Sequence, residues 1–449
     1  MAKLRRIMTD SGRLAACLRR ASKRQWDEAS TQSWRNARAA SLVQYAARHV
    51  PYYRNLFQRH RLDPASFRSV DDLRRIPVST KADLKEQPIE NLVSDEYDPA
   101  SLAAHSTSGS SGIPFTILRG WFDERCLNSI WMRHIPLQGV KPRDRIATLT
   151  AHLEGRATGR ILIQRALNAL GLFQNAKINS LLPAEEILRA LGRWRPQRLM
   201  GYPGALLRIA EAMRETDATA VAPESLHTFG EVLTPDIRAR LETGFKAPVF
   251  DLYGSYEFGM VAFQCGQPGV YHVADDAIHL EILRAGEPAA EGESGVLTAT
   301  NLVATAMPFI RFDIGDLVAR GPASCACGWR GSSICEIRGR MLDMFPLPDG
   351  REIHPYEIVG KLLVSDSPIS QYQLTQETVG LVVLTVVPSS LGPGLIDFDD
   401  LHRKIGGVLG GQVRFEIRLV DRIDFEKSGK FRVSRSKVSS MYDEVKSGS

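Results

Sequence analysis

Over the first sixty residues the apolar positions recur at helical spacing, between charged faces and with few glycines, as far as "HVPYYRNLF". There Pro51 and the paired tyrosines break the period and predict a docking corner. In "VDDLRRIPVSTKADLKEQ", Ser79 and Thr80 predict caps before a helix that starts at Lys81. From about 105 to 320, apolar runs of strand length alternate with helical segments: "RIATLTA", "QRLMGYP", "LHTFGEVL" and "PVFDLYGS" are examples. That alternation predicts an α/β sheet with helices on both faces. Between about 270 and 340, "HLEILRAGEP", "GESGVLTATNL" and "MPFIRFDIGDLVAR" predict strand pairs joined by Gly, Glu and Pro turns, as in a small barrel or distorted sheet. The chain then begins again, with a hairpin turn at "PDG", a helix, two strands, a helix from about 398 and a final strand. The expected fold is α/β, with a large N-terminal domain (1–342) of mixed sheets and a barrel-like part. A small, mobile α+β C-terminal domain (343–449) follows, with the linker near Asp343.

Composition changes this picture little. The chain has 449 residues, 43% hydrophobic and 24% charged, which are the values of ordinary globular proteins and imply more than one structural unit. Apolar runs fall short of the roughly 20 residues that span a bilayer. The basic start "MAKLRRIMTDSGRLAACLRRASKR" lacks the uninterrupted apolar segment of a secretory signal and reads as a solvated surface helix. A net charge of +6 without basic blocks interleaved with aromatics does not indicate nucleic acid, and suits an anionic small ligand or an acidic partner. Six cysteines are too few for a disulfide scaffold, so a reducing cytoplasm is expected.

Candidate chemistry starts at "STSGSSGIP" (106–114), between two strand-like segments. Backbone N–H groups of Gly109, Ser110, Ser111 and Gly112, with the nearby hydroxyls of Thr107, Ser108, Ser110 and Ser111, can form an anion-binding nest. An ordinary turn is the competing reading, because the P-loop pattern with its lysine is not matched. Four later stretches bear on the choice. "DLYGSYEFG" puts Glu257 where a carboxylate can hold Mg²⁺ beside a triphosphate, and a tyrosine where it can stack on a base. "MPFIRFDIGDLV" places Asp316 after a glycine, suited to both hydroxyls of a ribose. "IRGRMLDMF" supplies Arg340, and "EKSGKFRVSRSKV" puts Lys430 in a Ser-Gly turn.

In that order and at those distances, the set resembles the adenylate-forming superfamily, and within it the phenylacetate–CoA ligases and related capsule-biosynthesis proteins. The likeness runs from "YAARHVPYYRNLF" and "LRRIPVSTKADLKE" to the "SGK" turn. It implies that Ser108 to Gly112 (Ser108, Gly109, Ser110, Ser111, Gly112) embrace the ATP phosphates. Gly230 and Glu231 would line the adenine, Tyr253 and Gly254 would face its ring, and Glu257 would ligate Mg²⁺. Asp316, assisted by Arg340, would hold the ribose, Asp343 would be the hinge, and Lys430 would reach between carboxylate and α-phosphate. Two departures stand out. Ser110 and Ser111 replace the usual threonines with no lysine nearby, and Tyr256 stands where a hydroxyl residue usually contacts the α-phosphate. "GYPGAL" falls where the family forms its acyl pocket, so Tyr202 and Pro203 are pocket candidates, with a capped helix start as the alternative.

Cys265, His272, Cys325 and Cys327 form C-x6-H and then, about fifty residues on, C-x-C-G. Three thiolates and an imidazole favour a closed structural zinc site; reduced, part-buried thiols are the alternative, and Cys335 competes as a ligand. Cys17 and Cys126 read as core cysteines, Trp131 and Trp194 as core aromatics, and His105 as a strand-end structural residue. His134 and His152 have no nameable partner. The functional expectation is ATP-dependent activation of a small aromatic carboxylic acid and transfer to CoA. Alternatives are an amine or carrier-protein thiol as acceptor, or a catalytically silent nucleotide-binding scaffold. A homodimer is compatible with this reading.

Overall fold

The computed structural model describes residues 12, 15, 28–106, 115–151, 167–216, 221–267, 269–362, 369–389, 396–426 and 428–438. Most of the basic N-terminal segment, the serine–glycine loop from Ser108 to Gly112, Cys17 and His152 lie outside them. The chain divides into two compact units: Met1–Gly139 with Tyr253–Ile337, and Val140–Leu252 with Arg338–Ser449. Both mix helices and strands. Among the described residues no helix is long and apolar enough to cross a membrane.

The first unit is antiparallel. Strands Ile278–Arg284, Ser294–Asn301 and Phe312–Arg320 pair in succession, with a register shift between Val296 and Thr298 that distorts the sheet. Tyr271–Val273 pairs with both Gly259–Gln264 and the start of Ser333–Arg340. The corner expected at Pro51 is real. Pro51 opens the helix Pro51–Arg59, where its missing N–H costs nothing, and Tyr53 drives its ring into the core. The Tyr53 hydroxyl donates to Pro308 O (3.2 Å) and accepts from Ile310 N (2.8 Å), so a buried polar atom is satisfied twice. Tyr52 meets the Ser79 hydroxyl at 2.9 Å, and Ser79 exchanges backbone bonds of 2.9 Å with Arg311 and Asp313. Thr80 caps the helix Lys81–Lys85 in a capping box closed by Asp83. Phe258, Phe309 and Phe312 centre the core, with ring centroids 5.2 to 6.3 Å apart.

Within the second unit, the predicted runs form parallel strands Ile146–Thr150, Arg198–Gly201 and Ser225–Phe229, and Asn175–Asn179, which the apolar pattern did not mark, joins them beside Ile146–Thr150. Helices Ala184–Trp194, Pro203–Thr216 and Pro235–Phe245 bury Ile187, Leu191, Leu206, Ile209 and Leu241 against them. Trp194 joins this core and donates from Nε1 to Ile146 O at 2.9 Å. The "PDG" turn joins Phe345–Pro346 to Glu352–Ile353. Strands Ile369–Thr378 and Leu381–Pro388 form an antiparallel pair, flanked in parallel by Ser434–Ser436 and Arg414–Leu419. Helix Phe398–Leu409 lays Leu401, Ile405 and Leu409 on that sheet, giving the C-terminal segment its own core.

Candidate functional site

In the second unit the Lys430 turn is held from several sides. Gly429 N donates to Glu426 O (2.8 Å) and Glu426 N to Lys430 O (2.9 Å), closing a tight loop. Gly429 has φ +78°, and a Cβ there would stand 2.7 Å from Ser180 Oγ and 2.9 Å from Ala151 Cβ, so only glycine fits. Gly204, in the first turn of Pro203–Thr216, is equally constrained: a Cβ would lie 2.7 Å from Phe431 Cβ. Glu231 accepts from Gly204 N (2.9 Å) and from Phe431 N (2.5 Å). Burial pushes the Glu231 carboxyl up to about 7, with Gly204, Phe431 and Lys430 opposing the rise and Glu426 adding to it. Lys430 Nζ sits 5.8 Å from the Tyr202 ring centroid, and Tyr202 packs on Phe229 at 5.2 Å. The structure thus gathers Lys430, Gly230, Glu231, Tyr202 and Pro203. Glu231, expected beside an adenine, turns its carboxylate to backbone N–H groups. Arg340 ends strand Ser333–Arg340, and its carbonyl lies 3.1 Å from His354 Nε2. Asp343 follows in a short 3-10 turn. Because His354 Nδ1 accepts from Tyr356 N, Nε2 carries the proton; burial drives this histidine down to about 4.

In the first unit, Tyr253 donates its hydroxyl to Asp316 Oδ2, uniting two expected nucleotide residues. Gly254 follows Tyr253 along the strand Val249–Ser255. Glu257 is almost buried, at 9% exposure, and its carbonyl accepts from Asn301 Nδ2 at 3.2 Å. Tyr256 is exposed, and its ring stacks on His105 with centroids 6.1 Å apart. His105 bonds Glu124, and Arg119 reaches both Glu124 and the Tyr256 carbonyl. Burial alone would raise the Glu124 carboxyl, but the His105 bond and the Arg119 charge hold it below its usual range. His105 and Arg119 belong to the hairpin Ala103–Ser106 and Thr116–Arg119, whose last rung is Ser106 opposite Thr116. In sequence, Ser106 and Thr116 flank the serine–glycine segment, which lies outside the described residues. His134 is a buried residue whose Nδ1 meets Trp131 O.

The cysteine cluster is the most compact arrangement. One ligand atom from each of Cys265, His272, Cys325 and Cys327 lies within 4.8 Å of all the others. Cys265 Sγ and Cys325 Sγ are 3.8 Å apart, and Cys327 Sγ is 3.2 Å from His272 Nε2. A tetrahedral zinc with arms of ~2.3 Å to sulfur has edges of ~3.8 Å, so the donor set fits that ion. Gln267 N points at Cys265 Sγ (3.3 Å), and Cys325 N bonds Trp329 O (3.0 Å), shaping the two turns. Burial pushes the Cys265 thiol up to about 12 and His272 down to about 4, so with no cation these two groups are neutral. Cys335 instead approaches the Ala319 and Arg320 carbonyls, which removes it as a competing ligand. Sequence reasoning missed Trp329, whose ring stacks on His272 at 5.1 Å; its place two residues after Cys327 was the available signal. It also missed Gly204 and Phe431, whose proximity no local pattern encodes.

The fold is that of the adenylate-forming CoA ligases. A solved structure of 2-hydroxyisobutyryl-CoA ligase in the postadenylation state superposes with a TM-score of 0.76, at 22% identity, covering 95% of each chain. An anthranilate CoA ligase bound to anthranoyl-AMP aligns over 82% of this chain and 70% of its own, with a TM-score of 0.56 and 14% identity. In sequence the chain is similar to phenylacetate-coenzyme A ligases. That of Thermus thermophilus is 27% identical over 353 residues, covering 76% of this chain and 77% of its own. That of Escherichia coli is 25% identical over 367 residues, covering 76% and 78%. No family model matches the chain.

Proposed function

We propose that this protein is an AMP-forming acid–CoA ligase that activates a small aromatic carboxylic acid with ATP and passes the acyl group to CoA. A carboxylate is a poor electrophile. Attack of its oxygen on the α-phosphorus expels pyrophosphate and makes an acyl-adenylate; the CoA thiolate then attacks the acyl carbon and AMP leaves. The observation that carries this reading is the seat of Lys430, a cation fixed by a glycine turn beside Tyr202 and Gly230. There its charge neutralises the phosphoryl oxygens as negative charge builds. The similarity to ligases of this chemistry over three quarters of the chain supports it.

Individual roles follow the resemblance. In the first unit Asp316, oriented by Tyr253, takes the ribose hydroxyls, and the Ser108–Gly112 loop takes the phosphates. Glu257 offers the hard oxygen donor that Mg²⁺ requires. Tyr256, exposed and backed by His105, offers a phenol where relatives carry a smaller hydroxyl. In the second unit Tyr202 and Pro203 line the acid pocket, Arg340 assists the ribose, and Asp343 is the hinge between half-reactions. Cys265, His272, Cys325 and Cys327 hold a structural zinc, which with four protein ligands has no position left for chemistry. A cytoplasm supplying ATP and CoA suits this reading.

Pyrophosphate release measured across a panel of acids, repeated with CoA, hydroxylamine and amines, tests the proposal. Release with an aryl or arylacetic acid, coupled to thioester formation only with CoA, is expected. Release coupled to an amine instead would reassign the acceptor. ATP binding with no release from any acid would leave a silent nucleotide-binding scaffold.

A further inference from the structure

Both oxygens of Glu231 are taken by main-chain donors that its own strand and loop do not supply. Oε2 receives Gly204 N at 2.9 Å, in the opening turn of the Pro203–Thr216 helix, where unpaired N–H groups and the helix dipole favour a carboxylate. Oε1 receives Phe431 N at 2.5 Å, from the residue after Lys430 and 200 positions along the chain. The surface beside this carboxylate is cut to receive the turn, since Gly204 has no Cβ to meet Phe431 and Gly429 none to meet Ser180 and Ala151. We propose that Glu231 is the positioning residue for the Lys430 turn, a carboxylate latch that seats the lysine for adenylation and lets go when the turn leaves.

Three features support a latch rather than a helix cap alone. A cap needs the Gly204 bond only, whereas Phe431 is fixed by the second oxygen. The latch is made of one side chain and backbone N–H groups, so breaking it strands no buried cation. Burial holds the carboxyl up at about 7, with the Gly204 and Phe431 N–H groups and then Lys430 opposing the rise, so the contact is made against a desolvation cost. The catalytic consequence rests on the reading of Lys430 as the adenylation lysine.

The test compares wild type, Glu231→Gln and Gly204→Ala. The second variant removes no carboxylate and improves helix propensity, but puts a methyl group 2.7 Å from Phe431 Cβ and 3.3 Å from Glu231 Oε2, pressing on both sides of the latch. Amide hydrogen exchange followed by mass spectrometry should show the peptide containing Phe431 exchanging roughly tenfold faster in both variants. Acid-dependent ATP–pyrophosphate exchange should fall about 10- to 100-fold in kcat, with KM for ATP within about threefold. Thioester formation from a synthetic acyl-adenylate and CoA should match wild type. Unchanged protection of Phe431 in Glu231→Gln overturns the latch, as does equal loss of both half-reactions or normal adenylation in Gly204→Ala. A raised KM for ATP at intact protection would return Glu231 to the adenine. If wild type itself exchanges no pyrophosphate with any acid, the ligase reading fails, while the hydrogen-exchange comparison still decides the latch.

Discussion

The cysteine cluster and the Lys430 turn solve opposite problems with opposite materials. The cluster gathers four side chains whose donor atoms lie within 4.8 Å, two of them buried, with an aromatic ring stacked on the histidine. Thiolates and imidazole at that spacing bind a soft cation with many kcal/mol, and such a joint is made once, on folding. The turn is held by one carboxylate, two N–H groups and the absence of two methyl groups. Each of those contacts is individually worth little, about 1 kcal/mol for a typical hydrogen bond. On the proposed reading, a permanent joint is built from side chains that would share an ion, and a working joint from backbone that fits.

Four perturbations break or sharpen that contrast. Lys430→Ala should have the largest effect, lowering acid-dependent pyrophosphate exchange by about 10²- to 10³-fold while the melting temperature stays within about 2 °C. Unchanged exchange in that variant would remove the lysine from the mechanism. Next, purified protein should contain about one zinc per chain, and Cys265→Ser or Cys327→Ser should lose it. A drop in melting temperature of several degrees should follow, with pyrophosphate exchange kept below the new transition. Metal-free wild type with freely titrating thiols would refute the site.

A smaller effect is expected from pH. The Glu231 carboxyl is held up at about 7 in the folded chain against an ordinary 4.5, so between those values the fold binds a proton that the unfolded chain has released. Its contribution to stability is full below about 4.5 and is lost as pH rises through about 7. Wild type should therefore lose a few degrees relative to Glu231→Gln between pH 5 and pH 8; a constant difference would mean that burial does not govern this carboxyl. Last, His105→Ala removes the ring behind Tyr256 and the partner of Glu124. Exchange should fall only about two- to fivefold, since the histidine acts by orienting the hairpin end. A loss as large as that of Lys430→Ala would give His105 a direct part.

Much of this was readable before any coordinates. Thr80 capping the helix at Lys81, the strands at "RIATLTA" and "QRLMGYP", and the hairpin at "PDG" are local matters, set by caps, periodicity and turn chemistry. The grouping of Cys265, His272, Cys325 and Cys327 was readable because soft donors clustered in two short stretches have few other uses. Tyr53 was readable as a corner but not as a hydroxyl serving Pro308 and Ile310, because its partners lie more than 250 residues away. Glu231 was readable as a candidate, but its bonds to Gly204 and Phe431 were not, because Phe431 lies 200 residues along the chain.

What the sequence by itself determined is therefore the kinds of groups present and the elements that carry them, because helix caps, strand alternation and turn glycines act over a few residues. Only the tertiary structure decided which of those groups meet. A carboxylate, a helix start and the residue after a lysine become one contact when packing brings distant segments within hydrogen-bond reach, and that distance is not written in local order.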